Sequence, residues 1–185
     1  MSREGITVDG LSLPTRQGDS ALLPLLRQMG AEVNLSSGCI TVRKGRLRAT
    51  DIDARPIPDL IPPLSVLAAA AEGGSHIQNA RRLRYKESDR LQGIAELLNS
   101  LGGCLTVDGD GLLIHGVSHL RGGTVDPMGD HRLAMSAALA ALSADAPVTV
   151  RDADCVSKSY PAFWADFQSL KGEAPCPAPS ETPSV

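Results

Sequence analysis

The chain has 185 residues, 42% hydrophobic and 21% charged, with a formal charge of −3 and only 3% aromatics. This is the balance of a globular domain with a core of Leu, Ile, Val and Ala, and it lacks the strong positive charge that a nucleic-acid or membrane-surface partner selects. Cys39, Cys104, Cys155 and Cys176 lie far apart without a Cys-x-x-Cys pair, which suits reduced thiols better than a disulfide framework or a zinc site.

Apolar periodicity predicts a helix over 21–29, strands near 32–35 and 40–43, an Ala-rich helix over about 60–72 and a strand at 76–79. Leu91, Ile94, Ala95, Leu98 and Leu101 then line one helix face that ends at Gly102-Gly103. Strands at 104–107 and 112–115 follow, joined by the hairpin turn Asp108-Gly109-Asp110-Gly111. A second Ala-rich helix over 131–143 leads to a strand at 148–151. From Lys171 the chain is Pro-rich without periodicity, so 1–170 is read as one domain and 171–185 as a disordered tail. The start Met1-Ser2-Arg3-Glu4 has no signal-peptide character, and the apolar run 60–71 contains Pro62 and Pro63 and is too short to cross a bilayer. The expectation is a cytoplasmic protein with no membrane or nucleic-acid partner.

Two halves of the chain share one register. Leu26 matches Leu98, Lys86 matches Lys158 and Leu98 matches Leu170, each 72 apart, and Asp59 matches Asp130 at 71. Agreement of four pairs in one register identifies a structural repeat, so the fold class is α/β, built of repeated units with helices on mixed or antiparallel sheets.

Asp59 and Asp130 each precede an apolar helical run, where an N-cap is the ordinary role for a carboxylate. His131 and Arg132 follow Asp130, and a cation in a helix's first turn is unfavourable unless an anion also sits there. That placement suits either a carboxylate or phosphate site or a solvated arginine. Residues 81–90 read Arg-Arg-Leu-Arg-Tyr-Lys-Glu-Ser-Asp-Arg. Such a run is ordinarily a solvated face, but Lys86, Glu87 and Arg90 would share one turn at a helix start, where a common anionic ligand would relieve the cations' repulsion. Lys158 adds a cation from the equivalent corner of the next unit, or is a plain surface lysine. His76, His115 and His119 read as core or surface histidines. No Walker loop, dinucleotide-binding glycine motif or nucleophile elbow is present.

Lys86-Glu87-Ser88-Asp89-Arg90, Gly129-Asp130-His131-Arg132-Leu133-Ala134-Met135, the Ile57-Pro58-Asp59 turn and Ser157-Lys158-Ser159-Tyr160-Pro161 resemble, in order, the enolpyruvyl transferases of the shikimate pathway, over residues 5 to 170. The resemblance implies βαβαββ units, three to a domain in an inside-out barrel-like fold, with two domains closing over the substrates. It implies transfer of the enolpyruvyl group of phosphoenolpyruvate to the 5-hydroxyl of shikimate 3-phosphate, inhibition by glyphosate-type compounds, and no metal or cofactor. By the same resemblance Asp59 takes the hydroxyl proton, Glu87 handles the proton at the methylene carbon, and Lys86 bridges the substrates. Arg90, Arg132 and Lys158 would hold the carboxylate and phosphate, with His131 close by. Family members carry a second domain whose Ser-Lys-Ser and Ser-Ser-Gln segments have no counterpart here. The resemblance therefore implies a separate N-terminal domain as partner, and an incomplete first unit with an unpaired sheet edge and an exposed apolar face. The related UDP-N-acetylglucosamine enolpyruvyl transferases, with Asp-Leu-Arg in place of Asp130-His131-Arg132, and a non-catalytic anion-binding or interaction module are the alternatives.

Overall fold

A computed structural model describes residues 5–10, 18–36 and 38–171. The predicted tail lies outside the described residues, apart from Lys171. Strand β1 (Ile6–Val8) is followed by helix α1 (Leu22–Gln28), the hairpin β2 (Glu32–Ser36) and β3 (Cys39–Arg43), the short strand β4 (Ile52–Asp53), helix α2 (Ile61–Ala69) and strand β5 (Gly74–Gln78). The order then recurs as α3 (Arg90–Ser100), β6 (Cys104–Asp108), β7 (Gly111–His115), β8 (Gly123–Val125), α4 (His131–Ala141), β9 (Val148–Val150) and α5 (Phe163–Lys171).

The repeat is visible in the pairing itself. Ile52 of β4 lies parallel to Ile77 of β5, and Thr124 of β8 lies parallel to Thr149 of β9. Both members move by 72 positions (124 − 52 and 149 − 77), the spacing read from the sequence. The hairpins repeat too: Glu32 faces Arg43 and Cys104 faces His115. The second unit forms a sheet of order β4-β5-β7-β6, whereas the first forms β1-β3-β2 and the last only β8-β9.

An unpaired edge was expected in the first unit. The structure fills the edge of β3 with β1, whose Ile6 pairs antiparallel with Val42. The open edge therefore sits one strand further out. Among the described residues β1 has no parallel neighbour of the kind that β4 gives β5, and Ile6 and Val8 remain about half exposed, at 53% and 49%.

The core is a layer of helices inside the sheets. Helix α2 is buried on nearly all sides, through Ile61, Pro62, Leu64, Ser65, Val66, Ala68 and Ala69, as its uniformly apolar sequence requires. It packs against α3 and α4, which also touch each other. Pro62 and Pro63 are tolerated because they stand in the first turn, where the amide hydrogens have no helical acceptor. Ser65 and Ser136 are buried without penalty, each donating its hydroxyl to the carbonyl four residues back. Gly93 lets α3 approach α4: a Cβ there would stand 2.6 Å from Leu133 Cδ1 and 2.8 Å from Met128 Cε.

Candidate functional site

Three chain reversals meet at the N-terminal ends of α2, α3 and α4. The first carries Asp59 in a single 3-10 turn (Pro58–Leu60) ahead of α2. The second runs from a 3-10 segment (Arg81–Tyr85) through Lys86, Glu87 and Ser88 to Asp89, which caps α3 by accepting from the Gln92 amide at 3.2 Å. The third is the tight turn through Met128 and Gly129, both at positive φ (53° and 66°), which delivers Asp130 to the cap of α4. That φ is costly for a methionine and is the kind of backbone strain that collects at functional sites.

Two local expectations change in three dimensions. Asp130 does cap its helix, accepting from the Arg132 amide at 2.9 Å. Asp59 does not: neither the turn it occupies nor α2 has a side-chain cap bond. Its carboxylate is drawn instead to Arg90 Nη1 (2.8 Å), Lys86 Nζ (3.2 Å) and Arg132 Nη2 (3.4 Å). Lys86 and Glu87, expected in the first helical turn with Arg90, precede the helix. Lys86 is extended (φ −98°, ψ −158°), and α3 begins only at Arg90.

Arg90 is the hub. Its side chain is 1% exposed, and it donates from Nε to Asp130 Oδ2 (2.7 Å), from Nη1 to Asp59 and from Nη2 to Glu87 Oε2 (2.5 Å) and Asp130 Oδ1 (3.3 Å). Four of the five guanidinium N–H groups are thereby engaged. Asp130, fully buried, also accepts from Ser88 Oγ at 3.1 Å. A buried arginine with three carboxylates meets the requirement that a buried charge be paired and hydrogen-bonded. Arg132 adds a bond from Nη1 to the Asp59 carbonyl at 3.3 Å.

The electrostatics follow from this packing. Burial opposes the charge of Asp130, but Arg90, the Arg132 amide and Ser88 outweigh it and hold the carboxyl below its ordinary pKa. Asp59 shows the same contest, burial against Lys86, Arg132 and Arg90, with the cations prevailing. Burial also opposes the charge on Arg90, whose pKa is nonetheless raised, chiefly by Asp130. His131 is pushed down by burial, against the pull of Asp130 and Glu87, so the ring is neutral near pH 7. Its Nδ1 is buried without a hydrogen-bond partner among the described residues.

The fold thus brings together Asp59, Lys86, Glu87, Arg90 and Arg132, with His131 at the head of α4. Lys158 stands apart in these contacts: it is exposed at the end of a 3-10 segment (Ala153–Lys158) that packs on α4, and its side chain makes no ion pair or hydrogen bond among the described residues. Sequence reasoning read Asp130 only as a cap and passed over Ser88, although both lie inside the quoted motifs. Among the described residues no group of three or more His, Cys, Asp or Glu side chains is arranged to hold a metal ion, and no helix is long and apolar enough to cross a membrane. An open depression of about 570 Å³, lined by Arg55, His76, Gln78, Asn79, Arg81, Arg82, Asp108, Asp110 and Gly111, includes none of these site residues.

Residues 1–167 match the family described as EPSP synthase (3-phosphoshikimate 1-carboxyvinyltransferase). The chain is 42% identical over 170 residues to the 3-phosphoshikimate 1-carboxyvinyltransferase of Clostridium kluyveri, covering 92% of this chain and 40% of the relative. It is 48% identical over 167 residues to that of Methanocella arvoryzae, covering 89% and 39%. The solved structure of an EPSP synthase from Acinetobacter baumannii superimposes with a TM-score of 0.75 at 29% identity, covering 90% of this chain and 42% of that one. The chain spans about 40% of the length of the curated relatives it matches.

Proposed function

The chain belongs to the EPSP synthase family, and from that premise we propose that it supplies one wall of an active site for enolpyruvyl transfer. The substrates are phosphoenolpyruvate and shikimate 3-phosphate, the products the 5-enolpyruvyl ether and phosphate. The observation that carries this reading is the convergence of Asp59, Lys86, Glu87 and Arg132 around Arg90 at the ends of three helices. Addition followed by elimination needs groups that move protons at two atoms, and an anionic substrate needs several cations in fixed places.

In the proposed roles, Asp59 is ionised and accepts the proton of the attacking hydroxyl, while Lys86, 3.2 Å from it, lies between the two substrates. Glu87 delivers a proton to the methylene carbon and later removes one. Arg90, Arg132 and Lys158 hold the carboxylate and phosphate, with His131 beside them. Arg90 and Asp130 also fix the positions of the other members, because their own bonds tie the α3 and α4 turns together.

The cluster has three cations (Lys86, Arg90, Arg132) against three carboxylates (Asp59, Glu87, Asp130) and so carries no surplus positive charge for a polyanionic substrate pair. This supports the need for a further domain to complete the site. The test is phosphate release from the two substrates, measured with the chain alone and with a separately expressed N-terminal domain of the family. Activity only on mixing is the expected result. Turnover by the chain alone would overturn the need for a further domain, and silence in both from folded proteins would favour a non-catalytic module.

A further inference from the structure

Within the site each of the cations Lys86, Arg90 and Arg132 is paired with one or more of the site's own carboxylates. These carboxylates are not equivalent. Asp130 is fully buried and anchored by four hydrogen bonds. Asp59 is partly exposed, at 37%, but is held by three cations. Glu87 is 29% exposed and has one partner, the Nη2 of Arg90. It sits three residues before Arg90, in the bend that precedes α3 and outside the helix, so its side chain can swing away without disturbing α3.

We propose that the Glu87–Arg90 ion pair is a latch: an incoming carboxylate takes the Arg90 Nη2 position, and Glu87 is released by that exchange. The proposal rests on reading the cluster as the enolpyruvyl-transfer site and adds a coupling to it. The group assigned to move the proton at the methylene carbon is tied to a guanidinium until the substrate's own anion replaces it. Charge is conserved at Arg90 through the exchange, so the buried guanidinium is never left short of a counter-charge, which would be the costly alternative. Binding and readiness for proton transfer thereby become one event.

The latch makes Glu87 a competitor of the ligand, so removing its charge must tighten anion binding. The experiment is a calorimetric titration of the 185-residue chain with phosphoenolpyruvate, comparing the parent with Glu87→Gln and Glu87→Ala. Glu72→Gln serves as a charge control, since it removes one negative charge from the exposed Arg46–Glu72 pair beyond the far end of α2. The expected result is about a tenfold lower Kd in both Glu87 variants, the scale of one charge-assisted hydrogen bond, with Glu72→Gln unchanged. A second readout is the Arg90 Nε–H resonance, which should move on Glu87→Gln substitution and on ligand addition to the parent.

Three results would overturn the latch: Kd within twofold of the parent in both Glu87 variants, equal tightening in Glu72→Gln, or no measurable binding to any of the proteins. The transferase reading fails separately, through absence of phosphate release on mixing with the complementary domain. A chain that binds more tightly after Glu87→Gln yet never turns over would keep the latch and lose the enzyme.

Discussion

Replacing Asp130 by alanine tests how much of the site's framework rests on one buried carboxylate. The substitution removes two bonds to Arg90, one to Ser88 and the cap bond to the Arg132 amide. Leaving one partner of a buried ion pair without the other costs about 3–5 kcal/mol. Arg90 retains Asp59 and Glu87, which places the effect at the low end, about 3 kcal/mol. Loss of the cap adds about 1 kcal/mol. A total of about 4 kcal/mol is a large part of a domain's usual stability of about 5–15 kcal/mol.

With a urea m-value of about 2 kcal/mol/M, the midpoint should fall by about 2 M at pH 7. Asp130→Asn, which preserves volume and an acceptor for the cap, should lose about half as much. The pH dependence has a defined sign. The Asp130 carboxyl lies below its ordinary value of 3.8 in the folded chain, so its ionisation contributes fully above that value and is lost as pH falls through the folded pKa. Parent and Asp130→Asn midpoints should therefore converge in acid. A midpoint shift below about 0.5 M for Asp130→Ala, or a parent–Asn gap that does not narrow in acid, would refute the claim that this carboxylate organises the site.

Asp59→Asn should abolish the base assigned to the hydroxyl and reduce turnover of the completed enzyme by about 10²-fold or more, read as phosphate release with the complementary domain present. His131, whose pKa burial lowers from the ordinary 6.5, should titrate in NMR spectra below that value. The stability it affects should decline between 6.5 and its folded pKa, because there the unfolded chain binds more protons. Asp53 should titrate at about 2, held down first by the Arg55 side chain and then by the Arg55 amide. Arg55→Ala should return it toward 3.8, as followed by carboxyl carbon shifts. Gly116→Ala should cost about 3 kcal/mol in chemical denaturation, since a Cβ there would stand 1.6 Å from the backbone oxygen of Ala71, which cannot yield as a side chain could.

The features legible in the sequence are those that local order controls. The 72-residue register survives into the strand pairs Ile52–Ile77 and Thr124–Thr149, although the first pair is buried and the second exposed. The hairpin at 108–111 and the helix ending at Gly102 were legible from turn chemistry alone. Strands β4 and β8, two and three residues long, carry no periodicity to detect, and they exist only because β5 and β9 offer them parallel partners. Helix α5 was also missed: Phe163 packs against Tyr160, Trp164 and Phe167, a short local aromatic cluster rather than a long amphipathic stripe.

The site divides in the same way. Ordered motifs named Asp59, Lys86, Glu87, Arg90, His131 and Arg132, and a cap for α4 followed from Asp130 standing before an apolar run. Sequence also placed Asp59 as a cap, since nothing local distinguishes the two aspartates. Only the packing of α2, α3 and α4 separates them: residues 59, 90 and 130 come from different chain reversals, and a buried guanidinium selects its carboxylates by distance in space. The sequence determined which charges the chain carries to the helix ends, and the tertiary structure decided which of them is buried, which is exposed and which holds which.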